Sequence, residues 1–471
     1  MNLRTELLPH QAQAVQKVLP TRIGALFMDM GTGKSRTAFE LVARRQDRID
    51  HVVYFCPVSL KETVRREILK HTDCADSDIC VFNDRTNERN LPKALWYIVG
   101  IESMSSSDRV VLATGKLITT RTFVILDESS YIKGAYSMRT MRITRLSEKA
   151  RYRLILTGTP LSQGVVDLFA QMRFLSPKIL GYESFYSFAA NHLEYSEKYP
   201  GMIVRSHNTE YLAAKVQPYV YQVTKEECLD LPPKLYTTRY FRMTMQQRLA
   251  YEAAKDEVFM SLADDDIDSI AIFRLFTFLQ EIVCGFWNRR ISRGKFEKLE
   301  FEHKRIEVLL DIVNSIPAGE KIIIWCKYRY DIEHITEALT GVFGAENVAT
   351  YHGGLSEKQR NKEEERFHSG ARFFVGTPKC AGHGLTLNEA HYGIYYNNDF
   401  KYSERLQAED RCHRIGQAHK VTYIDIQCTD SIDDRIADAL AKKGSVVAEF
   451  KGEVEKVKDK KGKLKELIKS L

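Results

Sequence analysis

Short runs of β-branched and aromatic residues recur along the chain, each followed by a polar or helix-forming stretch. In the first half they fall at residues 23–28, 52–56, 97–101, 123–126 and 154–157, and in the second half at 321–325, 348–351, 373–376, 393–396 and 421–426. Apolar runs of this length, without alternation, predict strands covered on both faces. Parallel sheets flanked by helices follow, in two α/β lobes.

Between the two sets, residues 167–302 are rich in aromatics and helix formers. Within them Leu231-Pro232-Pro233-Lys234 cannot continue a helix and reads as the connection between lobes. Residues 272–286 (IFRLFTFLQEIVCGF) are apolar at helical spacing and predict a buried helix, and the acidic patch 264–268 predicts a solvated loop. Near the end, Leu464, Leu467, Ile468 and Leu471 share one helical face among lysines. The expected division is a first lobe over 1–230 with a helical insertion after about residue 165, a second lobe over 231–450 with an insertion at about 240–300, and a basic tail over 451–471.

Composition changes this picture little: 471 residues with 44% hydrophobic and 28% charged side chains are those of an ordinary globular protein. The charge matters more for where it sits. Of the net +7, the last 21 residues hold eight lysines against four acids, which leaves +3 for the other 450. A nearly neutral body argues against bulk attraction to a polyanion and puts any phosphate grip on local clusters. Nine cysteines without a CxxC pair do not form a disulfide framework and point to a reducing compartment. No apolar run reaches the roughly 20 residues of a membrane span, and residues 1–10 lack a secretory pattern, so a cytoplasmic or nucleoid-associated protein is expected.

The chemistry is concentrated after the first predicted strand. Gly31-Thr32-Gly33-Lys34-Ser35 lies between that strand and a predicted helix over 36–45. In that setting glycines let backbone N–H groups approach phosphates, Lys34 reaches the β and γ oxygens, and Ser35 ligates magnesium. Residue 28 is Met where the full P-loop pattern has Gly, so the match is to the GxGKS core. Asp127 and Glu128 follow the strand at 123–126 and supply the carboxylates such a loop needs, Asp127 for magnesium and Glu128 to orient and deprotonate water. In the second lobe Arg411 and Arg414, three apart, predict two guanidinium groups on one helical face that complete a γ-phosphate site. Cys380, His383, Cys412 and His413 fit no common zinc spacing, and no structural zinc is expected.

Taken in order, these segments resemble the superfamily-two motors of the Snf type. Leu8-Pro9-His10-Gln11 resembles the adenine-reading motif, Gly31 to Ser35 the first phosphate motif, and Cys56 to Leu60 the nucleic-acid motif after the second strand. Asp127-Glu128-Ser129-Ser130 resembles the acidic box and Leu156 to Leu161 the coupling motif. Leu231 to Lys234 followed by Met243-Thr244 and Gln247 to Tyr251 is diagnostic of the branch, and Cys284-Gly285-Phe286 ends the helix that usually follows. Ile323 to Cys326, Tyr351 to Gly354, Thr377 with Gly382 to Leu387, and Gln407 to Gln417 complete the series. Two departures stand out. Ser130 replaces a frequent His, and Asn397 to Phe400 replaces a more acidic, tryptophan-bearing stretch.

The resemblance implies two tandem RecA-like lobes and an ATPase using ATP and Mg2+. It assigns ATP binding to His10, Gln11, Gly31, Thr32, Gly33, Lys34, Ser35 and Asp127, with magnesium on Ser35 and Asp127. Catalysis falls to Lys34, Glu128, Gln407, Arg411 and Arg414, and coupling to Thr157, Gly158 and Thr159. Ser59, Lys61, Lys327, Thr377, Lys379 and Gly382 are the candidate nucleic-acid contacts. The expected activity is ATP-driven translocation on double-stranded or branched DNA by a monomeric, minimal phage or bacterial member. A strand-separating DNA or RNA helicase and a nucleotide-gated subunit of a defence or repair complex are the alternatives.

Overall fold

The computed structural model of the protein describes residues 1–158, 160, 164–195, 203–261, 269–292, 295–381, 385–443, 453, 467–468 and 471. The chain divides into two compact units, Met1–Asp230 and Leu231–Leu471.

The first unit contains β1 (Ile23–Met28), β2 (His51–Cys56), β3 (Ile79–Val81), β4 (Trp96–Gly100), β5 (Thr122–Leu126), β6 (Tyr152–Thr157), the antiparallel pair β7 (Leu193–Tyr195) and β8 (Ile203–Ser206), and β9 (Val220–Val223). One sheet takes the order β3-β4-β2-β5-β6-β1-β9, with every neighbouring pair parallel. Its faces are both apolar. Val53, Phe55, Val99 and Leu126 pack into one cluster, while Val52, Tyr54, Ile98 and Ile125 pack into another. Removing a buried aliphatic or aromatic side chain from water contributes about 1.5–3 kcal/mol, which is what drives these runs into a doubly covered sheet. Because the strands are parallel and in register, the residues after Met28, Leu126 and Thr157 meet at one carboxyl edge. In open α/β sheets that edge is where ligands bind.

The second unit contains β10 (Lys234–Phe241), the antiparallel hairpin β11 (Phe286–Ser292) and β12 (Lys295–Glu300), then β13 (Lys321–Trp325), β14 (Val348–Tyr351), β15 (Phe373–Gly376), β16 (Ala390–Tyr395) and β17 (Val421–Cys428). The parallel sheet runs β10-β17-β16-β13-β15-β14. All ten apolar runs read from sequence are strands of these two sheets. Strand β10 has no such run: Leu235, Tyr236 and Tyr240 are 46%, 57% and 61% exposed, since an edge strand covers little.

The apolar stretch 272–286 is a helix only over Ser269–Val283, with Leu275, Phe276, Leu279 and Ile282 buried; Phe286 instead begins β11. Beneath the second sheet Arg305 is fully buried, donating to Asp433 and to the Tyr396 carbonyl and so tying helix Arg305–Ser315 to helix Ile432–Ala441. Of the tail, Ile468 and Leu471 are described and buried in the core of this unit, where the Tyr251 hydroxyl donates to the Leu471 carbonyl over 2.8 Å. Leu464 and the acidic patch 264–268 lie outside the described residues.

Candidate functional site

Strand β1 delivers the chain to a loop, Asp29 to Gly33, and helix α2 (Lys34–Ala43) begins two residues before the predicted start. Gly31 and Gly33 take φ of 78° and 86°, a conformation costly to any residue with a Cβ. Gly33 is also the N-cap, so no side chain satisfies the first-turn N–H groups of α2. Uncapped amides at the positive end of a helix dipole form an anion site. The Lys34 ammonium crosses the loop mouth, donating to the carbonyls of Met28 at 2.9 Å and Asp29 at 3.1 Å.

Helix α1 (Pro9–Val18) places His10 and Gln11 against this loop. Gln11 Nε2 donates to the Thr32 carbonyl at 3.0 Å, and His10 Nε2 bonds the same oxygen at 2.8 Å. A Cβ on Gly33 would come within 2.1 Å of Gln11 Nε2, a second reason for glycine there. His10 Nδ1 is buried and makes no hydrogen bond with a described residue. Arg36, from the first turn of α2, donates to Thr5 Oγ1 at 2.8 Å and to Glu40 at 3.1 Å, fastening the segment ahead of α1.

At the end of β5, Asp127 is buried and accepts from the Tyr54 hydroxyl at 2.9 Å and from the Glu128 N–H at 2.9 Å. The Ser35 side chain lies beside the same phenol, so the first turn of α2 and the acidic box are neighbours there. Burial, then the neighbouring Glu128 carboxylate, push the Asp127 carboxyl up to about 6, and nearby Lys34 opposes them. Glu128 is half-buried in the left-handed region at φ 46°, a conformation that costs about 1–3 kcal/mol in a side-chain-bearing residue and that recurs at working sites. A buried carboxylate raised by desolvation beside a serine hydroxyl and a cationic amine is a donor set that fits magnesium with phosphate oxygens and water.

Of the coupling triplet, Thr157 is buried at the end of β6. Gly158 lies against the phosphate loop, where a Cβ would meet Met30 Cγ at 3.2 Å and Met30 N at 3.3 Å. Thr159 lies outside the described residues. The acidic box reaches this segment through a residue the sequence did not single out. Ser129 Oγ donates to Gln171 Oε1 at 2.6 Å, and Gln171 Nε2 donates to the carbonyls of Pro160 at 2.8 Å and Asp167 at 2.9 Å. Ser129 and Gln171 are both fully buried. Tyr54 likewise went unnoticed. The only signals were a phenol inside a buried strand and an amide on an otherwise apolar helix.

In the second unit the helix expected to carry both arginines ends early. It spans Tyr402–Glu409, and Arg411 and Arg414 lie in the turns that follow. The reason is local: Arg411 Nε donates to the Gln407 carbonyl at 2.9 Å, capping the helix end, and Gly416 takes φ 98°. Both guanidinium groups still converge, each donating to the Leu385 carbonyl, and Arg414 adds Thr386 Oγ1 at 2.8 Å. Arg411 is buried, whereas Arg414 and Gln407 are half-buried.

The candidate nucleic-acid contacts divide. Ser59 and Lys379 are exposed and Thr377 half-buried. Lys61 instead donates to the Phe82 carbonyl at 2.6 Å. Lys327 donates to Gln280 Oε1 at 3.0 Å, with its ammonium 3.1 Å from the centre of the Phe400 ring and lowered to about 8 by burial. Both lysines are drawn inward because a partly buried ammonium must find acceptors or π-faces. Gly382 lies outside the described residues.

The SNF2-related domain family matches residues 12–285 and the helicase conserved C-terminal domain matches residues 304–416. Among similar proteins, an uncharacterized ATP-dependent helicase of Mycoplasma pneumoniae is 24% identical over 355 residues, covering 74% of this chain and 32% of that protein. The putative ATP-dependent helicase/translocase YwqA of Bacillus subtilis is 25% identical, covering 66% and 34%. The human DNA annealing helicase and endonuclease ZRANB3 is 24% identical, covering 98% and 42%. The chain thus spans between 32% and 42% of the length of these curated relatives. The Sulfolobus solfataricus SWI2/SNF2 ATPase core solved in complex with dsDNA is 22% identical, with a TM-score of 0.45 over 94% of this chain and 92% of that one. With a phosphate loop and acidic box on one sheet edge and a family match over more than half its length, the chain belongs to the SNF2-related family.

Proposed function

We propose that the protein is a DNA-dependent ATPase that hydrolyses ATP while tracking on double-stranded DNA, acting on forks or branched recombination and repair intermediates. The observation that carries this reading is the cluster at the carboxyl edge of the first sheet. There an uncapped α2 N-terminus, Lys34, Ser35, Tyr54, Asp127 and Glu128 meet.

The residues divide the work. The amides of Gly31 to Ser35 hold phosphate oxygens, and Lys34 exchanges its two carbonyl partners for the β and γ oxygens. Ser35 and Asp127 are the residues that would hold magnesium, which when bound supplies charge neutralisation at the phosphates. His10 and Gln11, already anchored on Thr32, offer the unpaired His10 Nδ1 and the Gln11 amide to the base. Glu128 takes the proton of the attacking water as its oxygen bonds to the γ-phosphorus and the β–γ bridging bond breaks, leaving ADP and phosphate. Arg411, Arg414 and Gln407 belong to the same reaction by their motif. Charge supplied by such an arginine is worth roughly a thousandfold or more in turnover, and Arg414, the more exposed of the two, is the residue to test first. Thr157, Gly158 and Thr159 relay the nucleotide state.

Ser59, Thr377, Lys379 and Gly382 are the proposed backbone contacts, which grip phosphates and carry no base information. Lys61 and Lys327, the other two candidates, are engaged with the Phe82 carbonyl and with Gln280. The human relative's name, a DNA annealing helicase and endonuclease, supports branched DNA as substrate. No helix among the described residues is long and apolar enough to cross a membrane.

The test is ATP turnover of the wild type and of Lys34→Ala, Glu128→Gln and Arg414→Ala with and without duplex DNA. Duplex-stimulated turnover in the wild type and a loss of at least about a hundredfold in each variant are expected from removing a phosphate clamp, a base or a finger. Unchanged turnover in Lys34→Ala would overturn the assignment.

A further inference from the structure

The β11–β12 hairpin has a charge and a surface that the motor motifs do not use. Residues 286–300 hold five basic and two acidic side chains, a net +3. Together with the tail this accounts for the whole +7 of the chain, so the remaining residues balance to zero.

The base of the hairpin is fixed. Phe286 and Trp287 are each 2% exposed, Phe286 packing on Tyr330 at 4.4 Å and Trp287 on Phe278 at 6.1 Å between ring centres. Asn288 N donates to Glu281 at 3.0 Å and Arg289 pairs with Glu257 at 3.0 Å. Lys298 pairs with Glu300 at 2.7 Å, over the Tyr330 ring.

Further out the character changes. The register shifts between Arg290 and Ser292, so Ile291 is an extra residue opposite the Lys295 to Phe296 step. Ile291 and Phe296 are 65% and 63% exposed, and the exposed Lys295 makes no hydrogen bond or ion pair with a described residue. Glu297 is also exposed, across from Arg289.

Two large apolar side chains held in water beside a cation, on a rigid base, cost solvation unless something covers them. The phosphate wall of an intact duplex gives a phenyl ring nothing to contact. The face of an unpaired base does, and every base has one. We propose that this hairpin is a second nucleic-acid site that takes the junction between duplex and single strand, with Phe296 and Ile291 against the first unpaired base and Lys295 on a neighbouring phosphate. The site deepens the reading above, on which it rests for the class of ligand.

Direct binding in the absence of ATP, by fluorescence anisotropy of a labelled forked DNA and a blunt duplex of equal length, tests it in the full chain. Phe296→Ala is expected to weaken fork binding about tenfold, the loss of about one base stack, and to change blunt-duplex binding by less than about twofold. Lys295→Glu is expected to weaken both and to lower the salt slope by about one charge. The side chains are solvent-exposed, so thermal midpoints equal to wild type confirm that both variants fold. Fork and duplex affinities of Phe296→Ala equal to those of wild type, or a wild type that shows no preference for the fork, would overturn the proposal. A wild type that binds the fork but hydrolyses no ATP removes the translocase reading and leaves the hairpin site standing.

Discussion

Tyr54 shows how much of the nucleotide site rests on single atoms. Its hydroxyl donates to Asp127 and lies beside Ser35, so the two residues proposed for magnesium meet in one place. Asp127 titrates at about 6, because burial outweighs the help it receives from Lys34 and Tyr54. A protonated carboxyl does not bind a divalent cation, so ATP turnover is expected to fall as pH drops through about 6. In Tyr54→Phe a hydrogen bond that favours the carboxylate is lost, so the acid limb of the kcat/KM profile should move to higher pH. A limb that stays in place would remove Tyr54 from the site. The stability linkage has the opposite sense. A carboxyl raised in the folded state stabilises it most below the unfolded carboxylate value of about 4, and that contribution is lost as pH rises through about 6.

A second single pair holds the other unit. Arg305 and Asp433 are buried together, and removing one partner leaves a charge without compensation. Asp433→Leu is expected to cost about 3–5 kcal/mol in chemical denaturation. A loss under about 1 kcal/mol would show that solvent reaches the pair.

At the scale of elements, the sequence made the sheets legible and the connections not. The ten strands read from sequence, nine of them central in their sheets, are runs of consecutive apolar residues, a pattern that burial on both faces explains, and each was visible. Strand β3 has only three residues, β9 is an edge strand with Gln222 exposed, and β10 shows more than half its side chains to water. The hairpin β11–β12 was hidden inside a stretch whose apolar spacing continues the preceding helix as far as Phe286. Arg411 and Arg414 were read on a helix because spacing does not reveal that Arg411 itself caps the helix at Gln407. The acidic box and the coupling segment were legible as motifs, but the link between them was not, since it runs through Gln171 on a helix that reads as plain core. The bridge from Ser129 through Gln171 to Pro160 ties the acidic box to the coupling segment. In Gln171→Glu the donor to Pro160 is lost with shape preserved. We expect DNA-stimulated turnover to fall at least about fivefold while the KM for ATP changes less than twofold, the pattern of lost transition-state rather than ground-state interaction. Equal losses in both would mark Gln171 as part of the nucleotide pocket instead.

At the scale of the whole molecule, the net +7 resolves into two local sources, the tail and one hairpin, on a chain that is otherwise neutral. The tail is not simply a basic appendage, because Ile468 and Leu471 lie in the core of the second unit and Tyr251 bonds the last carbonyl. Truncation after residue 466 should therefore lower thermal stability through the exposed core, by about 3–6 kcal/mol for two buried aliphatic side chains. An unchanged midpoint would show that the end of the chain is not docked.

If an ATP site at the carboxyl edge of the first sheet drives movement on duplex DNA, ATP turnover must depend on that DNA. The most direct measurement is the steady-state ATPase rate of the full chain across single-stranded, blunt duplex, forked and four-way DNA and RNA at saturating ATP and magnesium. Strong stimulation by duplex-containing DNA is expected, highest with forked or four-way DNA, and abolished in Lys34→Ala. Stimulation by RNA with no response to duplex DNA, or a rate that no nucleic acid changes, would contradict it.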